Sequence, residues 1–297
     1  MFVLWNGLSS CRAKKRSFLT SNAIPHFGSG FQSVQIVTQK VPGSAGEVVR
    51  YVQDSSEPFD PICLDDVALA EKGLIQGAAS AGRGNTLFFS LNAMQLVQRH
   101  YRRGGLVRHI SKKHYLYTGL RRTRAMREFD ILIQLQKKAL PAPIPYASAV
   151  SRRGLLYTAV LVTHRLPGQT LAERLLDTAN LPIEGATDES IWQGIGELIA
   201  RFHVAGVFHA DLNAHNVMLD EHGGPTLIDF DRGRIRPLPK DPARKGWCVA
   251  NMDRLERSLI KIAESAPDNT LDAIALADAF TACRNQWARS LNLLAGV

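Results

Sequence analysis

The chain has 297 residues, 45% of them hydrophobic and 21% charged, enough for one two-lobed domain or two small ones. Its 36 Lys and Arg against 27 Asp and Glu leave a formal charge of +9, which calls for an anionic partner: nucleotide, nucleic acid or an acidic membrane surface. The four cysteines, Cys11, Cys63, Cys248 and Cys283, are far apart and form no CxxC pair, which speaks against a zinc site or disulfide framework and for reduced cytosolic thiols, and no apolar run reaches the length of a membrane span.

Residues 1–45 lack clear periodicity and are expected to form a poorly ordered extension. Their start, MFVLWNGLSSCRAKKR, runs apolar then basic, the reverse of a signal peptide. Residues 46–163 alternate short β-rich runs with turns: EVVRYVQ, then GLIQGAASAGRGNTLFFSL, then AMQLVQRHY. Gly77, Gly82 and Gly84 fall between strands there, where backbone N–H groups could cover phosphates; an ordinary turn would look the same. The segment TGLRRTRAMREFDILIQLQKKAL sets Met126, Phe129, Ile133 and Leu140 at helical spacing, and Pro141 stops the pattern. ALPAPIPYASAV reads as an extended connection, RRGLLYTAVLVTHRL as a hairpin, and LPGQTL as a turn into the helix LAERLL.

Residues 164–297 become helical. TDESIWQGIGELIARFHVAG takes Thr187 or Asp188 as its N-cap, lines Ile191, Ile195, Leu198 and Phe202 along one face and stops at Gly206. NMDRLERSLIKIAES and LDAIALADAFTACRNQWARSLNLL are two more amphipathic helices. A β-rich half followed by a helical half implies two lobes with a cleft between them.

Between these helices lies FHADLNAHNVMLDEHGGPTLIDFDRGR, residues 208–234. Carboxylates are expensive to bury without partners, so this segment is either solvated or faces a positive charge. NVML and TLIDF read as short strands joined by a glycine turn. Pairing Leu219 with Thr226 sets Val217 against Ile228 and Asn216 against Asp229. An amide oxygen beside a carboxylate suits Mg²⁺, which keeps waters and binds substrate phosphates. Asp211, five residues before Asn216, could take a hydroxyl proton beside the metal. His209 is expected to brace the loop. His215 is left between touching substrate and being solvated. Asp231 is assigned to Arg232 or Arg234 in preference to the metal.

The spacing Asp-x4-Asn, with an apolar-strand Asp thirteen residues later, is similar to the catalytic arrangement of protein kinases. HADLNAHN resembles the kinase catalytic loop with Ala210 in place of its arginine, and IDFD resembles the metal-binding segment with Asp231 in place of its glycine. The missing arginine argues against control by an activation-loop phosphate. The strand lysine that would face the ATP phosphates is absent from LVQRHY; Arg99 is the candidate to replace it, with the charge but not the shape of lysine. Its helix partner would be Glu128, the first acid after a long basic run.

These pieces, with GRGNTLFF, RHYRRGGLVRHISKKHYLYTGLRRTRAMREFDILIQL, HRLPGQTL, GVFHADLNAHNVMLD and LIDFDRGRIR, resemble the 3-deoxy-D-manno-octulosonic acid (Kdo) kinase family of lipopolysaccharide core biosynthesis over roughly residues 46–265. RHYRRGG followed by RTRAMREF is the narrow part of the likeness. The resemblance implies an α+β, protein-kinase-like two-lobed fold, and transfer of the ATP γ-phosphate to the 4-hydroxyl of Kdo on a lipid A precursor. It further implies a peripheral location at the cytoplasmic face of the bacterial inner membrane. Carried over residue by residue, Asp211 is the base and Asn216 and Asp229 hold Mg²⁺; Gly77, Gly82, Gly84, Arg99 and Glu128 stay the candidates for binding ATP that the residues themselves offer.

From Arg99 through Arg127, both included, there are ten Lys or Arg and no acid, which suits a phosphorylated glycolipid or an anionic membrane surface. It would also suit nucleic acid, but no nucleic-acid motif accompanies it. The rival readings are another small-molecule or heptose kinase, separated by the RHYRRGG context, and a pseudokinase scaffold. Intact Asp211, Asn216 and Asp229 oppose the second, and the missing lysine favours it.

Overall fold

A computed structural model describes residues 35–41, 46–53, 58–79, 86–101, 115–177, 189–266 and 271–296. Gly82, Gly84, the Thr187 or Asp188 cap, Cys11 and most of the RHYRRGG stretch lie outside the described residues.

Strand β1 (Gln35–Lys40) pairs antiparallel with β2 (Glu47–Gln53). The sheet therefore begins inside the segment assigned to a poorly ordered extension. β1 gives little signal because it is a mostly exposed edge strand with no apolar face to mark it. After the short helix α1 (Asp66–Glu71), β3 (Ile75–Ala79), β4 (Thr86–Leu91) and β5 (Met94–His100) form an antiparallel meander. Then follow β6 (Tyr115–Leu116), α2 (Arg124–Lys137), β7 (Pro145–Arg153) and β8 (Leu156–His164). Among the described residues eight strands make one sheet, ordered β1-β2-β7-β8-β5-β4-β3 with β6 on β8. The β5–β8 ladder sets Arg99 opposite Leu161 in the middle of the sheet.

Helix α2 lies on this sheet. Met126, Phe129 and Ile133 face it and are buried, and truncating a buried Phe such as Phe129 costs about 3–5 kcal/mol. The helix stops at Lys137, before Leu140, because Ala139 takes a left-handed φ of 50° and Leu140 N–H turns back to Leu135 O at 3.0 Å.

The second half begins with β9 (Gln169–Thr170) and α3 (Leu171–Leu176), whose start is fixed by a reciprocal capping box between Thr170 and Glu173. Next come α4 (Glu189–Val204), β10 (Val207–Phe208), β11 (Val217–Leu219), β12 (Pro225–Leu227) and β13 (Arg234–Ile235). Two long helices follow, α5 (Trp247–Ser265) and α6 (Ala273–Ala295). α4 and α6 touch at Gly196, where a Cβ would stand 2.2 Å from the Cys283 carbonyl oxygen; only glycine permits that approach. Ile195, Leu198 and Phe202 are buried on α4, as its periodicity predicts, and Gly206 ends it with φ 77°. Cys63, Cys248 and Cys283 are free and buried, and no helix among the described residues is long and apolar enough to cross a membrane. The result is a mixed fold, an antiparallel sheet with one packed helix followed by a helical half.

Two buried histidines sit in the helical half. His203 accepts from Trp287 Nε1–H at 3.0 Å on Nδ1 and faces Asn251 Oδ1 at 3.4 Å through Nε2. Burial pushes its pKa down to about 3, against a small opposing contribution from Asn251. His209 is also lowered, by burial first. Both are neutral in the fold and titrate near 6.5 once unfolded. Protons therefore bind the unfolded chain preferentially below pH 6.5. The stability is complete above that pH and is lost as pH falls, by about 1.4 kcal/mol per unit for His203 until its folded pKa is reached, and in the same direction for His209. Urea midpoints measured at pH 7.5, 6.5 and 5.5 are expected to hold steady over the first step and drop over the second, with a smaller drop in His203→Gln. Equal midpoints at all three pH values would contradict this.

Candidate active site

Strand β5 presents Arg99 on the face that α2 covers, and α2 presents Glu128 to it. Arg99 Nη2 pairs with Glu128 Oε2, whose side chain is 3% exposed, and Arg99 Nη1 reaches Asp229 Oδ1 at 2.6 Å. The expected Arg99–Glu128 pair is therefore present, with a second carboxylate on the same guanidinium. A planar fork can hold both at once. The Tyr101 hydroxyl donates to the same Glu128 oxygen, and its ring lies under Arg99 with the guanidinium carbon 5.1 Å from the centroid.

Burial works against the charge on Arg99, but Glu128 and Asp229 together raise its pKa well above the ordinary value. Burial raises the Glu128 carboxyl; Arg99 opposes this and Asp229 adds to it. Burial also pushes Asp229 upward, yet the charge and hydrogen bond of Arg99 outweigh it and hold Asp229 below the usual carboxylate range.

Asp229 arrives here by a different register from the one the sequence implied. The ladder pairs Val217 with Leu227, Met218 with Thr226 and Leu219 with Pro225. The connection is one residue shorter than expected because Asp220 closes it: its Oδ1 accepts from His222 N–H at 2.9 Å and Gly224 N–H at 2.7 Å. Asn216 therefore faces Ile228, whose N–H donates to Asn216 O at 3.0 Å, and not Asp229. Asp229 lies two residues past β12 with a left-handed φ of 60°, a conformation that costs a non-glycine residue about 1 kcal/mol.

The loop before β11 is tightly held. His209 Nε2–H donates to Ile228 O at 2.9 Å, and its Nδ1 accepts from Asp211 N–H at 3.2 Å. It braces the loop, as expected, with no free nitrogen for proton transfer. Asn251 of α5 grips the same residue, donating to His209 O at 2.7 Å and accepting from His209 N–H at 3.3 Å. Asn216 Nδ2 donates to Asp211 O at 2.8 Å. Asp211 itself is 60% exposed and meets Arg254 Nη1 at 3.2 Å.

These bonds decide which oxygens are left for a metal. Asn216 uses its amide nitrogen on the loop and keeps Oδ1. Asp229 gives Oδ1 to Arg99 and to Asp231 N–H at 3.3 Å, and Oδ2 has no protein donor among the described residues. Two hard oxygens fit Mg²⁺, which fills the rest of its shell from phosphates and water. No group of three or more His, Cys, Asp or Glu side chains gathers as a metal site among the described residues, so any metal here would depend on the nucleotide's oxygens.

Asp231 turns away from the partners assigned to it. It forms a two-pronged ion pair with Arg124, the first residue of α2, including Arg124 Nε to Asp231 Oδ1 at 2.8 Å. Arg232 is excluded by its left-handed turn (φ 63°), and Arg234 is carried onto β13. Arg124 also donates to Tyr115 OH at 2.6 Å and stacks over Tyr101. Gly77 stands inside β3, paired with Phe88, and not in the connection to β4; a Cβ there would only touch Phe88 at 3.9 Å. His215 lines an open cavity beside Asp211. Tyr101, Arg124 and Arg254 were not singled out by sequence. Only Tyr101 carried a signal, lying two residues beyond Arg99 and so on the same face of an extended chain.

A family model, the lipopolysaccharide kinase (Kdo/WaaP) family, matches residues 72–276. The chain belongs to the lipopolysaccharide kinase (Kdo/WaaP) family. It is thus a phosphotransferase acting on a sugar hydroxyl. Among relatives of this Kdo/WaaP chain, a 3-deoxy-D-manno-octulosonic acid kinase of Stenotrophomonas maltophilia (strain R551-3) is 44% identical over 182 residues, 61% of this chain and 68% of that protein. The protein of the same name from Xylella fastidiosa (strain 9a5c) is 38% identical over 190 residues, 64% and 72% of the two chains. A solved structure titled WaaP in complex with acyl carrier protein aligns with a TM-score of 0.42 at 15% identity, covering 76% of this chain and 91% of that one.

Proposed function

We propose that this kinase transfers the γ-phosphate of ATP to the 4-hydroxyl of Kdo on a lipid A precursor, in lipopolysaccharide inner-core biosynthesis. The observation that carries the reading is the site itself: Arg99 is held between Glu128 and Asp229, Asp229 follows Ile228, which donates to Asn216, and the Asn216 amide bonds the backbone of an exposed Asp211. Family membership and relatives named for Kdo support the acceptor.

In this reading Arg99 binds the ATP phosphates from the sheet side, and Glu128 fixes its direction. Asn216 Oδ1 and Asp229 would hold Mg²⁺, which would supply positive charge to the phosphate oxygens. Asp211 orients the acceptor hydroxyl and takes its proton as the sugar oxygen bonds to the γ-phosphorus and the bond to the β-phosphate bridging oxygen breaks. ADP leaves with that electron pair.

The acceptor's acyl chains keep it in the bilayer, so the protein works peripherally at the cytoplasmic face of the inner membrane. The basic residues between Arg99 and Arg127 dock it on anionic lipid, at about 1 kcal/mol each near the surface and screened by salt. It is expected to co-sediment with anionic vesicles at low salt and to be released at high salt; equal, salt-insensitive binding to neutral vesicles would contradict docking by charge.

Incubation with Mg-ATP and a Kdo-bearing lipid A precursor is expected to give a product one phosphate heavier. Asp211→Asn should lower turnover by more than about a thousandfold while binding ATP nearly as wild type, since it removes a role confined to the transition state. Asp229→Ala should lose binding and turnover together. Near-normal turnover in Asp211→Asn would remove it as the base.

A further inference from the structure

Helix α5 sorts its charges by face. Asp253 and Glu256 turn to α6, where Arg284 pairs with them at 2.6 and 3.0 Å. Arg254, Arg257 and Lys261, spaced three and four residues apart, turn the other way and line one side of an open cavity of about 380 Å³. Asp211, Asn213 and His215 of the catalytic loop line the opposite side. Arg254 is engaged by Asp211 at 3.2 Å. Arg257 and Lys261 are exposed and have no carboxylate within ion-pairing distance among the described residues.

Asp211 is the only acid on the cavity wall, against three permanent or near-permanent cations. The cavity is thus a positively charged recess that opens on the carboxylate read as the base. Its volume lies at the small end of ligand sites, roughly 300–1,000 Å³, the size of one sugar of an acceptor whose lipid part stays outside. Arg257 stands about 4.5 Å and Lys261 about 10.5 Å beyond Arg254 along the helix axis, at 1.5 Å per residue. A ring with one hydroxyl at Asp211 therefore puts an acid group on the same ring within reach of both long side chains.

We propose that this cavity is the acceptor-sugar subsite, in which Arg257 and Lys261 bind the carboxylate of an acidic sugar whose hydroxyl faces Asp211. The inference rests on the reading of the protein as a Kdo kinase and adds the residues that recognise the acid. Arg254, tied to Asp211, serves the base and not the carboxylate. The phosphates of the lipid part could supply the same anionic chemistry, so the test separates the two sources.

Initial rates are measured with three acceptors: the Kdo-bearing lipid A precursor, its Kdo carboxamide, and the precursor stripped of its lipid phosphates. Wild type is expected to prefer the carboxylate to the carboxamide by at least tenfold in kcat/KM, as befits charge-assisted bonds, and to change little on loss of the lipid phosphates. Arg257→Gln/Lys261→Gln should raise the KM for the carboxylate acceptor at least tenfold, leave the KM for ATP within twofold, and erase the preference over the carboxamide. Arg257→Lys should restore part of it. Turnover by wild type with no preference for the carboxylate, a preference that survives the double substitution, or a loss that follows the lipid phosphates would each overturn the subsite alone. No turnover of any of the three acceptors by wild type would overturn the Kdo kinase reading, and the subsite with it.

Discussion

The guanidinium of Arg99 is the joint on which the rest of the site depends. One side chain from the centre of the sheet joins Glu128 of α2 to Asp229 beyond β12. Neither carboxylate is stable there alone. Glu128 is almost wholly buried, and removing one partner of a buried ion pair typically costs about 3–5 kcal/mol. Asp229 sits in a left-handed conformation that must be held from outside. A lysine would offer a point charge to one carboxylate at a time; the planar fork of arginine serves two. The departure from the usual kinase lysine thus changes what the residue can do, and ties the sheet, α2 and the segment that follows β12 into one unit.

A second contact acts in parallel. Arg124, at the first turn of α2, forks onto Asp231, two residues beyond Asp229. Glu128 lies one helical turn further along the same face. Helix α2 therefore holds the segment IDFD at both aspartates, through Arg99 in one case and directly in the other. Tyr101 lies between the two guanidiniums and bonds to Glu128. Ala210 stands where the kinase catalytic loop carries its arginine. The position of α2 is set by fixed ion pairs within the fold. From the other side, Asn251 and His209 hold the loop that carries Asp211. His209 can do this only as a neutral ring with its proton on Nε2, which its burial secures.

Much of this was legible in the sequence where local patterns carry it. The helices α4 and α6 follow from their apolar stripes, and the capped start of α3 from its turn. The Arg99–Glu128 pair could be read because Glu128 is the first acid after ten cations. The register of the hairpin was not readable to the residue. It depends on one side chain, Asp220, closing a five-residue turn where six were equally compatible with the apolar pattern, and a slip of one residue moves every partner. The Arg124–Asp231 pair spans 107 positions and leaves no local trace, while Arg232 and Arg234 stood close by in sequence. β1 was missed because an exposed edge strand has no buried face to impose alternation. The charge sorting on α5 was present as spacing, but only α6 reveals which of its charges are already paired.

The central claim is that Arg99 works on ATP only as Glu128 holds it. A double-mutant cycle measures that directly. Arg99→Met, Glu128→Gln and the combined variant are compared with wild type in kcat/KM for ATP. If the two residues act as one unit, each single change lowers kcat/KM by more than about tenfold, and the combined variant falls no further than Arg99→Met alone. Losses that multiply in the combined variant would show that Glu128 acts independently of Arg99 and would contradict the account.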